Sequence, residues 1–207
     1  MAFNNAKNII VGAAPVYISV KDSTDNAYVE NLLDTPSGGI TLAARTSAAT
    51  TLDAATTKVR NVGFTNNGLQ ITYNPTYDSV TVDQLLDTAK LFKSAMEVMI
   101  ATEMSEGTLE NVLVVFGQGQ STLSGSTLGL EAGALGVAPT ERQLIAIGQA
   151  PTESSAYSER IYYARRVLSV QQSQFSLARN TPTTFPVTFR LLPDGNTAYA
   201  GQEYGLQ

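Results

Sequence analysis

The sequence predicts a mainly β protein, a β-sandwich or partial barrel with one flanking α-helix. Residues 69–82 are rich in the Ile, Thr, Tyr and Val that favour strands. Residues 185–191 alternate large apolar side chains with smaller or polar ones, as a strand with one buried face does. Residues 108–117, by contrast, combine a helical apolar stripe with capping residues at both ends. At 207 residues the chain is large enough for one buried core, so we expect a single domain over 1–207.

The first part of the chain is predicted to hold one strand and a long insertion. Residues 8–20 favour a strand that Gly12 and Pro15 bend. Residues 27–33 favour a short helix after a turn. Residues 40–57 are Ala- and Thr-rich with almost no large side chains, so we expect an extended arm or surface loop there, within a probable insertion at 34–60.

A hairpin signal precedes the long strand. The sequence Thr65-Asn66-Asn67-Gly68 contains an Asn-Gly pair, which tolerates the positive φ of a tight turn, so the strand is expected to start at Leu69. Pro75 indicates an edge strand or a bulge. Alternation places Tyr73 and Tyr77 on one side of the strand. The other side carries Thr72, Asn74 and Thr76.

Residues 89–104 fit two kinds of secondary structure. Their apolar residues match a helical stripe, and the abundance of Ala, Met, Lys and Glu slightly favours a helix. Read at period 2, the same residues form a strand. One face then carries Phe92, Ser94, Met96, Val98, Ile100, Thr102 and Met104, and the other carries Lys93, Ala95, Glu97, Met99, Ala101 and Glu103.

The segment 108–117 is predicted to be a packing and assembly helix. Thr108 is the expected N-cap, Glu110 lies in the first turn, and Gly117 can end the helix in a left-handed conformation. Further apolar residues follow the stripe, so we expect sheet or a neighbouring subunit to cover most of the helix. The stripe itself consists of Leu109, Val112, Leu113 and Phe116.

The rest of the chain alternates a glycine-rich insertion with strands. Residues 118–141 are expected to form a loop or an arm that orders against a partner, and they lack the Gly-rich turn with Lys and Ser/Thr of a phosphate loop. Strands are predicted at 142–149, 161–171 and 185–191, before a turn at Pro193-Asp194-Gly195. The inward side chains of the last strand are Phe185, Val187, Phe189 and Leu191.

Composition excludes several function classes. Charged residues make up 15% of the chain, against about 25% in typical soluble domains, which suits a surface engaged in subunit contacts. The net charge of -5 argues against gripping nucleic acid by phosphate neutralisation. The absence of Cys and His excludes disulfides, Cys/His zinc sites and Ser-His or Cys-His catalysis. No apolar run approaches the ~20 residues of a membrane helix.

Two constellations have a functional and a structural interpretation. Glu103, Glu106 and Glu110 could form an acid/base or hard-cation site, but no second cluster completes it, so capping and solvation are favoured. Arg165-Arg166 with Tyr162-Tyr163 could contact nucleic acid. In an acidic chain, a protein interface is favoured. We therefore expect no enzymatic activity and no cofactor.

The order and spacing of these segments resemble the tail tube (major tail) proteins of long-tailed bacteriophages. The resemblance covers most of the chain after residue 60, fits residues 1–20 loosely, and leaves 34–60 and 118–141 as unmatched insertions. The motifs that carry it are Gly63-Phe64-Thr65-Asn66-Asn67-Gly68, Val82-Asp83-Gln84, Glu106-Gly107-Thr108-Leu109-Glu110-Asn111, residues 158–170, residues 185–192 and Pro193-Asp194-Gly195.

This resemblance implies a structural function in the virion tail. Residues 89–104 would be a strand, and subunits would close into hexameric rings whose strands complete a continuous barrel around a lumen. The rings would stack into a tube for genome delivery, after assembly in the host cytoplasm. Implied partners are further copies of the chain, the tail tip or baseplate, the tape-measure and tail terminator proteins, and DNA in transient, non-specific passage, with no membrane.

The resemblance also suggests which side chains face the channel. If 89–104 is a barrel strand, the Met96, Val98 and Ile100 face packs under the helix. A mostly acidic pore would then repel DNA phosphates. The lumen-lining candidates are Thr72, Asn74, Asp78, Lys93 and Glu97. The alternative from another class is a soluble β-sandwich module that binds carbohydrate or protein through its Tyr-rich strands, and a carboxylate-based hydrolase is a third.

Overall fold

The computed structural model describes residues 12, 14–19, 59–82, 87–132, 139–149, 159–171, 173–177 and 179–193. Within these ranges the protein is mainly β, with nine strands and one α-helix, α1, at Leu109–Val115. A short 3-10 helix spans Gln120–Thr122. The strands are β1 Val16–Ser19, β2 Val59–Asn61, β3 Thr65–Thr81, β4 Thr88–Met104, β5 Leu123–Ser124, β6 Thr127–Leu128, β7 Arg142–Gln149, β8 Glu159–Ser169 and β9 Phe185–Leu191.

Seven strands form one antiparallel sheet, in the order β2-β1-β7-β8-β9-β4-β3. Strands β5 and β6 pair separately as a small hairpin. Over the described ranges the large sheet does not close into a barrel, because β2 and β3 remain its two edges.

The main core lies between one face of this sheet and α1. Strand β9 alternates as predicted, with Phe185, Val187, Phe189 and Leu191 buried. From Val98 onward, β4 follows the same period of 2, which buries Val98, Ile100 and Met104 against the same cluster. We call the side of the sheet that packs under α1 the helix face. A second buried cluster comprises Tyr17, Ile145, Ile147 and Tyr163.

The ambiguity over residues 89–104 is resolved in favour of a strand. Strand β4 pairs with β3 along most of its length and with β9 at its end, so its backbone hydrogen bonds run between strands. Tertiary pairing therefore overrides the helix propensity of its Ala, Met, Lys and Glu residues, since propensity differences are only tenths of a kcal/mol per residue.

The predicted caps of α1 are confirmed, whereas the predicted buried stripe is wrong in part. Thr108 Oγ1 accepts a hydrogen bond from the Asn111 backbone N–H at 3.2 Å, and Gly117 has φ +63°. The buried helix residues are Asn111, Leu113, Val114 and Val115. Of the predicted stripe of Leu109, Val112, Leu113 and Phe116, only Leu113 is fully buried, while Leu109 and Phe116 remain 38% and 37% exposed.

Asn111 provides the physical reason for this rotation of the helix. Its side-chain Nδ2 donates to the Val62 and Glu106 carbonyls at 2.9 and 2.8 Å. Its Oδ1 accepts from the Arg60 guanidinium at 2.6 Å. These bonds hold a polar side chain on the buried side of α1, so Leu109 and Phe116 turn toward solvent.

Both expected insertions contain strands among their described residues. The stretch 118–141 contains the small β5–β6 hairpin, and Leu123 and Leu128 pack against the main core. Within 34–60, the only described residues belong to β2, which pairs with β1. The predicted helix at 27–33 and most of the turn at 193–195 lie outside the described residues.

Strand β8 departs from simple alternation. Its register with β7 shifts between the Arg142–Val167 and Leu144–Ala164 pairs, so Ala164 and Val167 both reach the main core. Arg165 is buried, and Arg166 forms a bidentate pair with Glu141 at 2.8 Å. Arg165 and Arg166 therefore do not form an exposed stripe.

Candidate assembly surface

The feature that stands out from the compact body is the hairpin of β3 and β4. Each strand has 17 residues, but β9 pairs with β4 only from Met99 to Met104. The remaining length, residues 73–81 and 88–98, has no third strand among the described residues. At about 3.4 Å per residue, this two-stranded projection is about 35 Å long. Its two outer edges present backbone N–H and C=O groups that pair with no other strand in the part of the chain that the structure describes.

The predicted turn at residues 65–68 is a bulge rather than a turn. Asn67 and Gly68 do adopt positive φ, at 59° and 65°, as the Asn-Gly signal requires. The chain nevertheless continues as β3, and three residues of β3 oppose one residue of β4, Thr102. Thr102 Oγ1 donates to the Gly68 carbonyl at 3.0 Å, which holds the bulge where the hairpin leaves the body. Strand β3 ends at Thr81, and its antiparallel partner β4 begins at Thr88.

Cross-strand pairing assigns the hairpin side chains to faces. Ile71 pairs with Ile100 and Tyr73 with Val98, so both β3 residues lie on the helix face. Asn74 pairs with Glu97 on the opposite face. The predicted separation of Tyr73 and Tyr77 from Thr72, Asn74 and Thr76 follows from this register.

A second bulge changes the faces in the outer half of β4. Thr76 pairs with Ala95 but Tyr77 pairs with Lys93, so Ser94 is an extra residue in β4. From Lys93 to Lys90, β4 side chains therefore lie on the face opposite to the one that uninterrupted alternation predicts, until a further register shift before Thr88. Ser94 Oγ donates to the Thr76 carbonyl at 3.3 Å.

Four of the five lumen-lining candidates share one face, and Lys93 does not. Thr72, Asn74, Asp78 and Glu97 lie on the face opposite the helix. Lys93 lies on the helix face, where its Nζ is 3.6 Å from Met96 Sδ. The expectation that Lys93 and Glu97 point the same way is therefore wrong, because the Ser94 bulge lies between them.

The helix face of the projection is largely apolar and uncovered. Tyr73, Tyr77 and Leu91 are 54%, 57% and 64% exposed. Ile71 is exposed as well, and it pairs with the buried Ile100, so the exposed row is continuous with the main core. We call Ile71, Tyr73, Tyr77 and Leu91 the hairpin strip.

The opposite face is rich in hydroxyl and amide groups, with mixed charge. Glu97 forms an ion pair with Arg190 of β9 at 3.4 Å, a partner that the sequence did not indicate. Asp78 and Lys90 are exposed on the same face. Phe92 and Val80, also on this face, are the apolar exceptions near its tip.

A second exposed apolar row lies on α1. Leu109, Val112 and Phe116 follow helical spacing on the side away from Asn111, and Val112 is half-buried. The Phe116 ring contacts Phe175 with ring centroids 6.2 Å apart. We call Leu109, Val112 and Phe116 the helix stripe.

The glutamates of the possible acid/base constellation each have a structural contact. Glu103 Oε2 accepts from the Asn66 amide at 3.2 Å, and Glu106 Oε1 accepts from the Phe64 backbone N–H at 3.1 Å. Glu110 lies 3.7 Å from Arg60. In the described part of the chain, no three Asp or Glu side chains group closely enough to hold a metal ion.

The described residues include no helix long and apolar enough to cross a membrane. No protein-family model matches the chain. No curated protein matches it significantly.

Proposed function

We propose that the chain is a structural subunit of a phage tail tube, which polymerises as stacked hexameric rings around a channel for genome delivery. The observation that carries this proposal is the uncovered β3–β4 projection. The proposal involves no catalysis and no cofactor, and its main partners are further copies of the same chain.

The energetics of the projection support a need for partners. A two-stranded hairpin alone is at best marginally stable in water. Here it also exposes a row of large apolar side chains and two unpaired strand edges, which invite pairing with another chain. If the β4 edge of one copy pairs with the β3 edge of the next, a ring of copies leaves no free edge around the barrel.

The two faces of the projection suit the two sides of such a barrel. The helix face would lie on the outer side, next to the body of each subunit. The opposite face, with Thr72, Asn74, Thr76, Asp78 and Glu97, would line the channel with groups that hold water. Glu97 forms an ion pair with Arg190, and the carboxylate of Asp78 lies on the same face as Lys90, so among the described residues this face offers DNA phosphates no purely cationic patch.

Negative-stain electron microscopy of the purified chain, together with sedimentation velocity, tests the proposal. Tubes or six-membered rings of uniform diameter are the expected result. A monodisperse monomer at every concentration, under conditions in which the chain is folded, would overturn it.

A second candidate function is a soluble module that binds carbohydrate or protein, because Tyr73 and Tyr77 present exposed aromatic rings on one face. This candidate predicts a monomer. A glycan or peptide ligand should then quench tyrosine fluorescence in the wild type, and the quenching should be lost in Tyr73→Ala.

A further inference from the structure

We propose that the hairpin strip of one copy packs against the helix stripe of the next copy in the ring. The inference rests on the proposed function, because it requires copies to associate head to tail. In this contact, the hairpin strip of one copy and the helix stripe of its neighbour cover each other.

Both rows lie on the same side of the sheet. The strip continues the face whose Val98 and Ile100 belong to the core beneath α1. The helix stripe lies on α1 itself, which packs on that face. When two sheets join edge to edge in a closed barrel, the outer face of one continues as the outer face of the other. The strip of one copy therefore extends toward the helix side of its neighbour.

The chemistry of the two rows is complementary in kind. Each row is apolar and uncovered in the single chain, and the exposed fractions of Leu109 and Phe116 are close to that of Ile71. Among the described residues of the outer hairpin, Lys93 is the one cation on the strip side, and its Nζ contacts Met96 Sδ. A lysine can lay its aliphatic stem along apolar surface and keep its ammonium in water, so Lys93 is compatible with an apolar contact.

The asymmetry of the two edges favours a head-to-tail contact over a two-fold one. The projection has one edge from β3 and one from β4, which differ in sequence. Pairing unlike edges repeats the same contact at every subunit and closes a ring, whereas pairing like edges gives a two-fold dimer. In such a two-fold dimer, the hairpin strip of one copy would pack against the hairpin strip of the other copy.

Cysteine cross-linking tests the contact cleanly, because the chain has no native cysteine. The double variant Tyr77→Cys/Phe116→Cys is assembled, treated with a flexible bis-maleimide and run on a denaturing gel. We expect a ladder of covalent species that reaches six subunits. The matched control is Thr76→Cys/Phe116→Cys, which moves the reactive group to the opposite face and should give no ladder.

Mixing singly substituted copies separates the possible outcomes. Tyr77→Cys mixed with Phe116→Cys should give covalent dimers, and Tyr77→Cys alone should give none. Dimers from Tyr77→Cys alone would overturn the inference in favour of strip-on-strip packing, and an intrachain link without a ladder would overturn it in favour of self-coverage. The pair Leu91→Cys/Leu109→Cys repeats the test with a second set of positions.

The inference and the proposed function fail differently. If microscopy shows rings but neither cysteine pair cross-links between copies, the contact is wrong and the ring proposal stands. If no rings or tubes form in the wild type, the proposed function itself fails.

Discussion

Replacing Tyr77 with alanine should weaken assembly while leaving the single chain nearly as stable as before. Tyr77 is 57% exposed, so about 115 Å² of its roughly 200 Å² of surface is available to a neighbour. At about 25 cal/mol per Å², burying that area stabilises each subunit contact by about 3 kcal/mol. Losing it should raise the concentration needed for assembly about a hundredfold.

The assay is the critical concentration for pelletable assemblies, measured beside the thermal midpoint of the unassembled chain. Thr76→Ala is the matched control, because Thr76 is the adjacent residue on the opposite face and also leaves alanine in a strand. It should assemble near the wild-type concentration. Equal defects in both variants, or wild-type assembly by Tyr77→Ala, would refute the argument that the strip is buried between copies.

Three further predictions concern the scaffold and the channel. Asn111→Ala should lower the free energy of unfolding in chemical denaturation by about 3 to 5 kcal/mol, because one buried and one partly buried carbonyl lose a donor and the Arg60 guanidinium loses one acceptor. A change below about 1 kcal/mol would contradict this. Gly63→Ala should destabilise the folded chain by about 1 to 3 kcal/mol, since Gly63 has φ +84° and a Cβ there would collide with the Glu106 carboxylate. The control is Gly129→Ala, which lies at a position without positive φ and should change the melting temperature little. Glu97→Lys should place a second cation beside Arg190 and slow genome ejection, with relief by added salt and little effect in Glu97→Gln. Ejection at the wild-type rate at low ionic strength would argue against Glu97 lining the channel.

Local signals in the sequence were sufficient where the chemistry is local. Thr108 and Gly117 define the ends of α1 because capping depends on one side-chain oxygen and one left-handed residue. The inward residues of β9 follow from alternation, since both neighbouring strands keep its register without a bulge.

The faces of the hairpin could not be predicted in the same way. Asn67-Gly68 requires positive φ in a turn and in a bulge alike, and only the pairing with β4 decides between them. Nothing about Ser94 as a residue type marks it as the extra residue. That single insertion nevertheless moves Lys93 from the predicted channel face to the helix face.

The orientation of α1 depends on contacts distant in sequence. The apolar spacing of the helix favours Phe116 as a buried residue, for which alanine substitution would be expected to destabilise by about 3 to 5 kcal/mol. Asn111 instead bonds to Arg60 and Val62, about 50 positions earlier, and turns Phe116 partly outward. A smaller loss of stability in the single chain is therefore expected for Phe116→Ala, with a larger effect on assembly.

A three-dimensional electron-microscopy reconstruction of the assembled wild-type chain tests the central claim most directly. We expect six copies per ring, with the β3–β4 hairpins pairing edge to edge into a closed barrel and Thr72, Asn74 and Asp78 facing the channel. A particle in which the hairpins extend outward from the assembly, or in which their edges stay unpaired, would contradict it.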